Sequence, residues 1–97
     1  MPTFMVFLNW TDQGAKNLKD GPKRSDMVKG QIEKNGGKLL GGYIITGQYD
    51  VALIADMPSG EAMTKVTIGI NASGNARTTT SRAYKVEEFA KLLGEAL

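Results

Sequence analysis

Residues 38–57 read KLLGGYIITGQYDVALIADM, two apolar segments on either side of a short polar turn. Both segments are rich in the β-branched and aromatic residues that are typical of strands. The Gly-Gln pair between them permits a sharp chain reversal, so we predict an antiparallel hairpin of residues 38–46 and 49–57. Gly41 and Gly42 inside the first strand indicate a bulge, or a place where another backbone or a ligand comes close.

A helix is predicted on each side of this hairpin. Before it, Pro22 suits the first position of a helix that ends at the Asn-Gly-Gly of residues 35–37. After it, Ser59 is expected to cap a helix that ends at the Ser-Gly of residues 73–74. Each helix carries an apolar stripe that needs a sheet to cover it, formed by Met27, Val28 and Ile32 in the first and by Ala62, Met63, Val66 and Ile70 in the second.

A strand near each end of the chain completes the sheet. Thr3–Trp10 is a run of β-branched and aromatic residues, and residues 75–85 are rich in threonine. The order strand, helix, strand, strand, helix, strand contains two split strand–helix–strand units. It predicts an α+β, ferredoxin-like fold with a four-stranded antiparallel sheet and both helices on one face. Residues 86–97 add a C-terminal helix, and 97 residues suit a single domain, 1–97.

The face of the sheet without helices should be apolar as well. In the first strand, Phe4, Val6 and Leu8 fall on one face, whereas Met5 and Phe7 fall on the other. Because a sheet that is apolar on both faces needs a second cover, we predict a homodimer or a higher homo-oligomer. The alternative is that the C-terminal helix folds over the second face within one chain, although one short helix covers little of a four-stranded sheet.

The composition limits the chemistry that the protein can perform. It has no cysteine and no histidine, which excludes disulfides, thiolate nucleophiles, Ser-His-Asp triads and the metal, haem or iron–sulfur sites built on those ligands. We therefore expect no metal and no cofactor. The glycines at 69 and 74 match no phosphate-binding motif, so we interpret them as helix termination.

The charge pattern argues against a nucleic-acid partner, and the hydropathy pattern argues against a membrane partner. Twelve Lys and Arg oppose ten Asp and Glu, and the resulting net charge of +2 comes without an uninterrupted basic run. No window approaches the roughly 18 apolar residues of a membrane span, and the first residues lack the pattern of a signal peptide. We therefore expect a cytoplasmic protein that binds neither nucleic acid nor membrane.

The turn of the hairpin, Gly47-Gln48-Tyr49-Asp50, together with the strand after it, resembles the signature of the GYD domain family. Three further segments support the resemblance, NWTDQG at 9–14, KDGPKR at 19–24 and NARTTTSRAY at 75–84. The resemblance implies a dimeric α/β barrel, in which two ferredoxin-like units pack sheet against sheet. This implied architecture agrees with the homodimer expected from the two apolar faces, but the resemblance implies no established activity.

Asp50 has two interpretations. It could be a general base or polar anchor in a cleft, where desolvation would raise its pKa. It could instead accept backbone N–H bonds from the turn, with Gly47 supplying a positive φ, and so act as a structural clamp. We favour the clamp, because Asp near turns often has this role. Tyr49 should share the face of Val51 and Leu53, opposite Asp50.

Six residues are our candidates for binding a ligand: Asn9, Trp10, Tyr43, Tyr49, Asp50 and Arg82. In the similar dimeric-barrel monooxygenases that work without a cofactor, an Asn on the first strand and nearby Trp and Arg residues hold an aromatic substrate. Asn9 and Trp10 match this pattern in residue type. Adjacent strand residues point to opposite faces, however, so only one of the two should enter a given pocket.

These observations favour a small-molecule-binding homodimer with a ligand cleft between the sheet and the helices. The alternative is a cofactor-independent monooxygenase or isomerase that acts on a small aromatic or lactone-like substrate. In that alternative, Asp50 or Tyr43 would move the proton. A purely structural or assembly subunit is a third interpretation.

Overall fold

The secondary-structure elements follow the predicted order, and a short helix and a 3-10 turn lie between the first strand and the helix that begins near Pro22. The computed structural model describes residues 1–97. Its elements are β1 (Thr3–Trp10), α1 (Asp12–Lys16), a 3-10 turn (Leu18–Asp20), α2 (Gly21–Lys34), β2 (Lys38–Ile44), β3 (Val51–Asp56), α3 (Gly60–Ala72), β4 (Ala76–Ala83) and α4 (Val86–Ala96).

The four strands form one antiparallel sheet in the order β2-β3-β1-β4. β1 is central, paired with β3 on one side and β4 on the other. The register between β2 and β3 shifts between Leu39 and Gly41, which confirms the predicted bulge. The predicted ferredoxin-like α+β fold is therefore confirmed.

The hairpin turn is longer than the sequence predicted. β2 ends at Ile44 and β3 begins at Val51, so residues 45–50 form the connection instead of two residues alone. Gly47 adopts a φ of +112°, in the region that favours glycine. The chain therefore reverses where it was expected to, but through a wider loop.

The hydrophobic core lies between the sheet and helices α2 and α3. Alternate residues of β1, Phe4, Val6 and Leu8, face this core, and no polar or charged side chain is buried in it. α3 covers the sheet with Met63, Val66 and Ile70, whereas the only fully buried residue of α2 is Ile32. The predicted cap of α3 is confirmed, since the Ser59 hydroxyl accepts from the Ala62 amide at 3.1 Å.

Helix α1 is attached to the turn between α3 and β4. The Thr11 hydroxyl accepts from the Gly14 amide and donates to the Gly74 carbonyl. Gly14 lies so close to this turn that a Cβ there would be 1.9 Å from the Asn75 carbonyl oxygen. Only glycine fits at this position, and the contact fixes the segment that leads into α2.

The second face of the sheet is open, and it is apolar along β1 and β3. Met5, Phe7 and Ile54 are half-buried on it, and Tyr43 is 60% exposed. The Tyr49 ring lies on the same side, stacked on Phe7 with the ring centroids 4.9 Å apart. This face therefore has the apolar character that the strand pattern predicted.

Helix α4 does not cover this face. None of its residues is buried, so the alternative in which it folds over the sheet of its own chain is wrong. The chain measures 49 × 30 × 18 Å, and its Cα radius of gyration is 14.5 Å. A compact chain of this length would have a radius of gyration of about 12.5 Å. The molecule is thus more extended than its length requires.

Candidate functional site

A groove opens on the helix side of the sheet, between α2 and α3. It has a volume of about 840 Å³. Its floor comes from Leu8, Val51 and Leu53 of the sheet, and its walls include Val28 of α2 with Val66 and Ile70 of α3. A second depression of about 640 Å³, between α3 and β4, has far fewer lining residues. The larger groove is the candidate site, and it lies in the layer where a ligand cleft was expected.

Small residues on both helices leave room for this groove. Gly21 and Ser25 line it from α2, and Gly69 and Ser73 line it from α3 and its C-cap. Each pair is spaced i, i+4 and so lies on one helix face. A Cβ added at Gly21 or Gly69 would meet no atom within 4 Å. The interpretation of Gly69 as helix termination is wrong, because α3 continues to Ala72.

The groove has an apolar interior and a basic edge. Arg24 and Lys65 are its charged lining residues, and no acidic side chain lines it. The Arg24 guanidinium is held in place by a hydrogen bond from Nη2 to the Gly14 carbonyl at 3.2 Å. Such a lining suits a molecule with an apolar body and one anionic group.

Of the six candidate residues, Trp10 lines the groove. Its neighbour Asn9 points to the other side, where Nδ2 donates to the Gln48 carbonyl at 2.8 Å. As strand alternation predicts, only one of these two neighbours enters the groove. Asn9 ties the hairpin loop to β1, and Trp10 forms part of the groove wall.

Asp50 bonds to the strand next to its loop. Its carboxylate Oδ2 accepts from the Trp10 amide at 2.9 Å, and its own amide donates to the Leu8 carbonyl at 2.9 Å. β3 begins only at Val51, so no carbonyl of that strand reaches the Trp10 amide. The Asp50 carboxylate accepts from this amide instead. Asp50 therefore acts as a structural clamp. Its hydrogen-bond donor, the Trp10 amide, lies on β1 and not in the turn as predicted.

The other three candidate residues, like Asn9 and Asp50, lie outside the groove. Tyr43 and Tyr49 are on the open face, so Tyr49 does not share the face of Val51. Arg82 is near the other end of β1, where its guanidinium lies 4.2 Å from the centroid of the Tyr84 ring and donates to the Thr3 carbonyl at 3.2 Å. The six candidates therefore do not meet in one pocket.

The helix residues of the groove were not among the candidates. The sequence signal for them was the i, i+4 spacing of small residues in the two helices. No three acidic side chains lie close enough together to hold a metal ion. None of the helices has the length and apolar character needed to cross a membrane.

Comparison with known proteins gives two findings. The family model of the GYD domain matches residues 4–93. The chain is also similar to a Thermus thermophilus protein described as a glutamine synthetase and cystathionine beta-lyase binding protein. The two are 27% identical over 90 residues, which cover 92% of this chain and 95% of that protein.

Proposed function

Since the chain belongs to the GYD domain family, we propose that it is a homodimeric binding protein that holds a small organic molecule in the groove between α2 and α3. The observation that carries this proposal is the groove itself, with its volume of about 840 Å³ and its apolar walls. Pockets that bind small molecules have volumes of roughly 300–1,000 Å³ and apolar linings with a few polar groups. The groove has both properties.

The basic edge defines the class of ligand. Arg24 and Lys65 offer positive charge beside an apolar surface, and no carboxylate is present to repel an anion. We therefore expect an aromatic or branched aliphatic molecule with a carboxylate or similar anionic group. Its apolar part would contact Val66 and Ile70, while its charge would stay at the edge of the groove.

The homodimer is supported by the open face of the sheet. Met5, Phe7 and Ile54 form an apolar surface that a second copy would remove from water. The likeness to a relative described as binding two enzymes supports a binding role as well, and extends the proposed partners to other proteins. A cytoplasmic location is part of the same proposal.

The geometry favours binding over the catalytic alternative. A monooxygenase or isomerase of the kind considered needs a proton-transfer group beside its substrate. Asp50 directs its carboxylate to the Trp10 amide, and Tyr43 lies on the opposite face of the sheet. Neither group is in the groove.

A pair of glycine variants tests the groove. Gly69→Leu places a side chain in its open space, whereas Gly30→Leu places the same side chain on α2 away from it. The readouts are native mass spectrometry of the purified protein and the fluorescence of the anionic apolar probe anilinonaphthalene sulfonate. The only tryptophan, Trp10, gives a second optical signal in the groove wall.

Native mass spectrometry would detect a small molecule that stays bound through purification as extra mass. We expect Gly69→Leu to lose this extra mass and the probe fluorescence, and Gly30→Leu to keep both. Circular dichroism should show that both variants fold, because neither new side chain meets existing atoms at its Cβ. Equal probe binding by the two variants would contradict the proposed site. A monomeric mass at all concentrations would contradict the proposed dimer.

A further inference from the structure

Helix α4 has an apolar side without a partner. Along its eleven residues the large hydrophobic side chains are exposed, from 43% at Leu92 to 80% at Val86, and Leu97 beyond it is 96% exposed. Phe89, Leu92 and Leu93 lie on the same side of the helix. An isolated helix of this length is marginal in water. α4 therefore needs a surface to pack on.

The chain exposes more surface than an average monomer of its mass. A folded monomer of 10.4 kDa exposes about 5,400 Å². This chain exposes 6528 Å². The excess of roughly 1,100 Å² is comparable to the area of about 800 Å² that each partner buries in a protein interface of standard size. An association that covers α4 would account for this excess.

The mouth of the groove is the complementary surface. Met27 is 64% exposed and Ile44 is 73% exposed at this mouth, and Leu18 is exposed beside them. These side chains form an apolar rim above the groove. The rim is interrupted by the cations of Arg24 and Lys65.

The charges of α4 match those of the rim. α4 has three glutamates and one lysine. Glu88 and Glu95 are seven residues apart, so they follow one edge of its apolar side. An apolar strip with an acidic edge thus faces an apolar rim with basic groups, and electrostatic complementarity of this kind fixes the register of a docked helix.

The groove of the same chain is out of reach. α4 begins shortly after Ala83, which pairs with Thr3, whereas the groove lies at the other end of β1, near Trp10 and Ala76. The eight residues of β1 span about 23 Å, and α4 is only about 16 Å long. The middle of α4 cannot lie on its own groove, so an α4 that covers the groove has to come from another molecule.

We propose that α4 of a second copy of this chain lies across the mouth of the groove, so that the binding site is complete only when that copy is bound. Phe89, Leu92 and Leu93 pack on the apolar rim, and Glu88 and Glu95 lie near its cations. The ligand-binding consequence rests on the function proposed above, but the contact itself does not. The open sheet face is on the opposite side of the sheet, so a copy bound there leaves the groove free for α4 of another copy.

Crosslinking between two different copies tests the contact. The chain has no cysteine, so single cysteines can be introduced without background. Isotope-labelled Met27→Cys chain is mixed with unlabelled Leu93→Cys chain and treated with a short bis-maleimide. The matched control replaces Leu93→Cys with Lys91→Cys, which lies on the opposite side of α4.

We expect a crosslinked dimer that contains one chain of each kind with Leu93→Cys, and at most a trace with Lys91→Cys. Equal yields from the two would overturn the proposal. So would a crosslink that forms only within one chain when both Met27→Cys and Leu93→Cys are present. Neither result depends on whether the groove holds a ligand.

Ligand binding gives the second readout. Leu93→Gln should weaken binding of anilinonaphthalene sulfonate at least about tenfold, whereas Lys91→Gln should leave it unchanged. Equal affinities would show that α4 does not complete the site. If Gly69→Leu keeps probe binding while the crosslink forms, the groove proposal fails and the α4 contact stands. If Gly69→Leu loses binding and no crosslink forms, the α4 contact alone fails.

Discussion

Helices α3 and α4 differ in a way that their sequences alone do not suggest. The middle of α3, Thr67-Ile68-Gly69, is a poor helix former, yet α3 contributes Met63, Val66 and Ile70 to the core. α4 has better helix formers and a wide apolar side, and the Lys85 amide donates to the Glu88 carboxylate at its start. It nevertheless buries no residue. A pattern predicts that a helix forms, but burial depends on what lies beside it.

The largest expected effect is a difference in stability between matched substitutions in α3 and in α4. Val66→Asp places a carboxylate in the core, and we expect a loss of about 3–5 kcal/mol in the free energy of unfolding, or no folded protein. Leu93→Asp should change it by less than about 0.5 kcal/mol at low protein concentration, because that side chain is exposed. Urea denaturation followed by circular dichroism measures both. Similar losses in the two variants would show that α4 packs on its own chain.

A smaller effect is expected where two parts of one chain are in close contact. Gly14→Ala would bring a Cβ to 1.9 Å from the Asn75 carbonyl oxygen, so the backbone must shift. We expect a loss of about 2–3 kcal/mol. Gly30→Ala is the matched control, since its Cβ meets no atom within 4 Å and its helix should gain about 0.5–1 kcal/mol. A stable Gly14→Ala variant would show that α1 moves freely against the turn.

The smallest expected effect concerns the Asp50 clamp. Asp50→Ala removes the acceptor of the Trp10 amide, and we expect a loss of about 1–2 kcal/mol. Asp50→Asn keeps an acceptor oxygen and should lose less than half as much. Thermal unfolding monitored by Trp10 fluorescence compares the two variants with the original protein. A larger loss in Asp50→Asn than in Asp50→Ala would contradict the clamp geometry.

Much of the fold could be predicted because its signals are local. The cap at Ser59, the bulge after Leu39 and the reversal at Gly47 all follow from residue types at single positions. Strand alternation predicts the wrong face for Tyr49, because β3 begins only at Val51. The side chain of Asp50 replaces a backbone partner there, and alternation stops where a strand stops.

The candidate site was harder to predict than the fold. Trp10 can be proposed from the sequence because it ends an apolar strand. The α2 and α3 residues line the groove only because a space remains between the two helices. The width of that space depends on how α2 and α3 pack on the sheet, and no residue pattern specifies it. The small pairs Gly21 with Ser25 and Gly69 with Ser73 were the available signal. Their meaning becomes clear only when both helices lie on the sheet.

The strand order also decides when the sheet can form while the chain is being synthesised. β1 is made before both of its neighbours in the sheet, β3 and β4. Trp10 pairs with Ala76 and Thr3 pairs with Ala83, so one edge of β1 stays open until β4 is made. Meanwhile Phe4, Val6 and Leu8 are exposed on a growing chain. The apolar residues of β1 therefore cannot complete their sheet until both later strands are present.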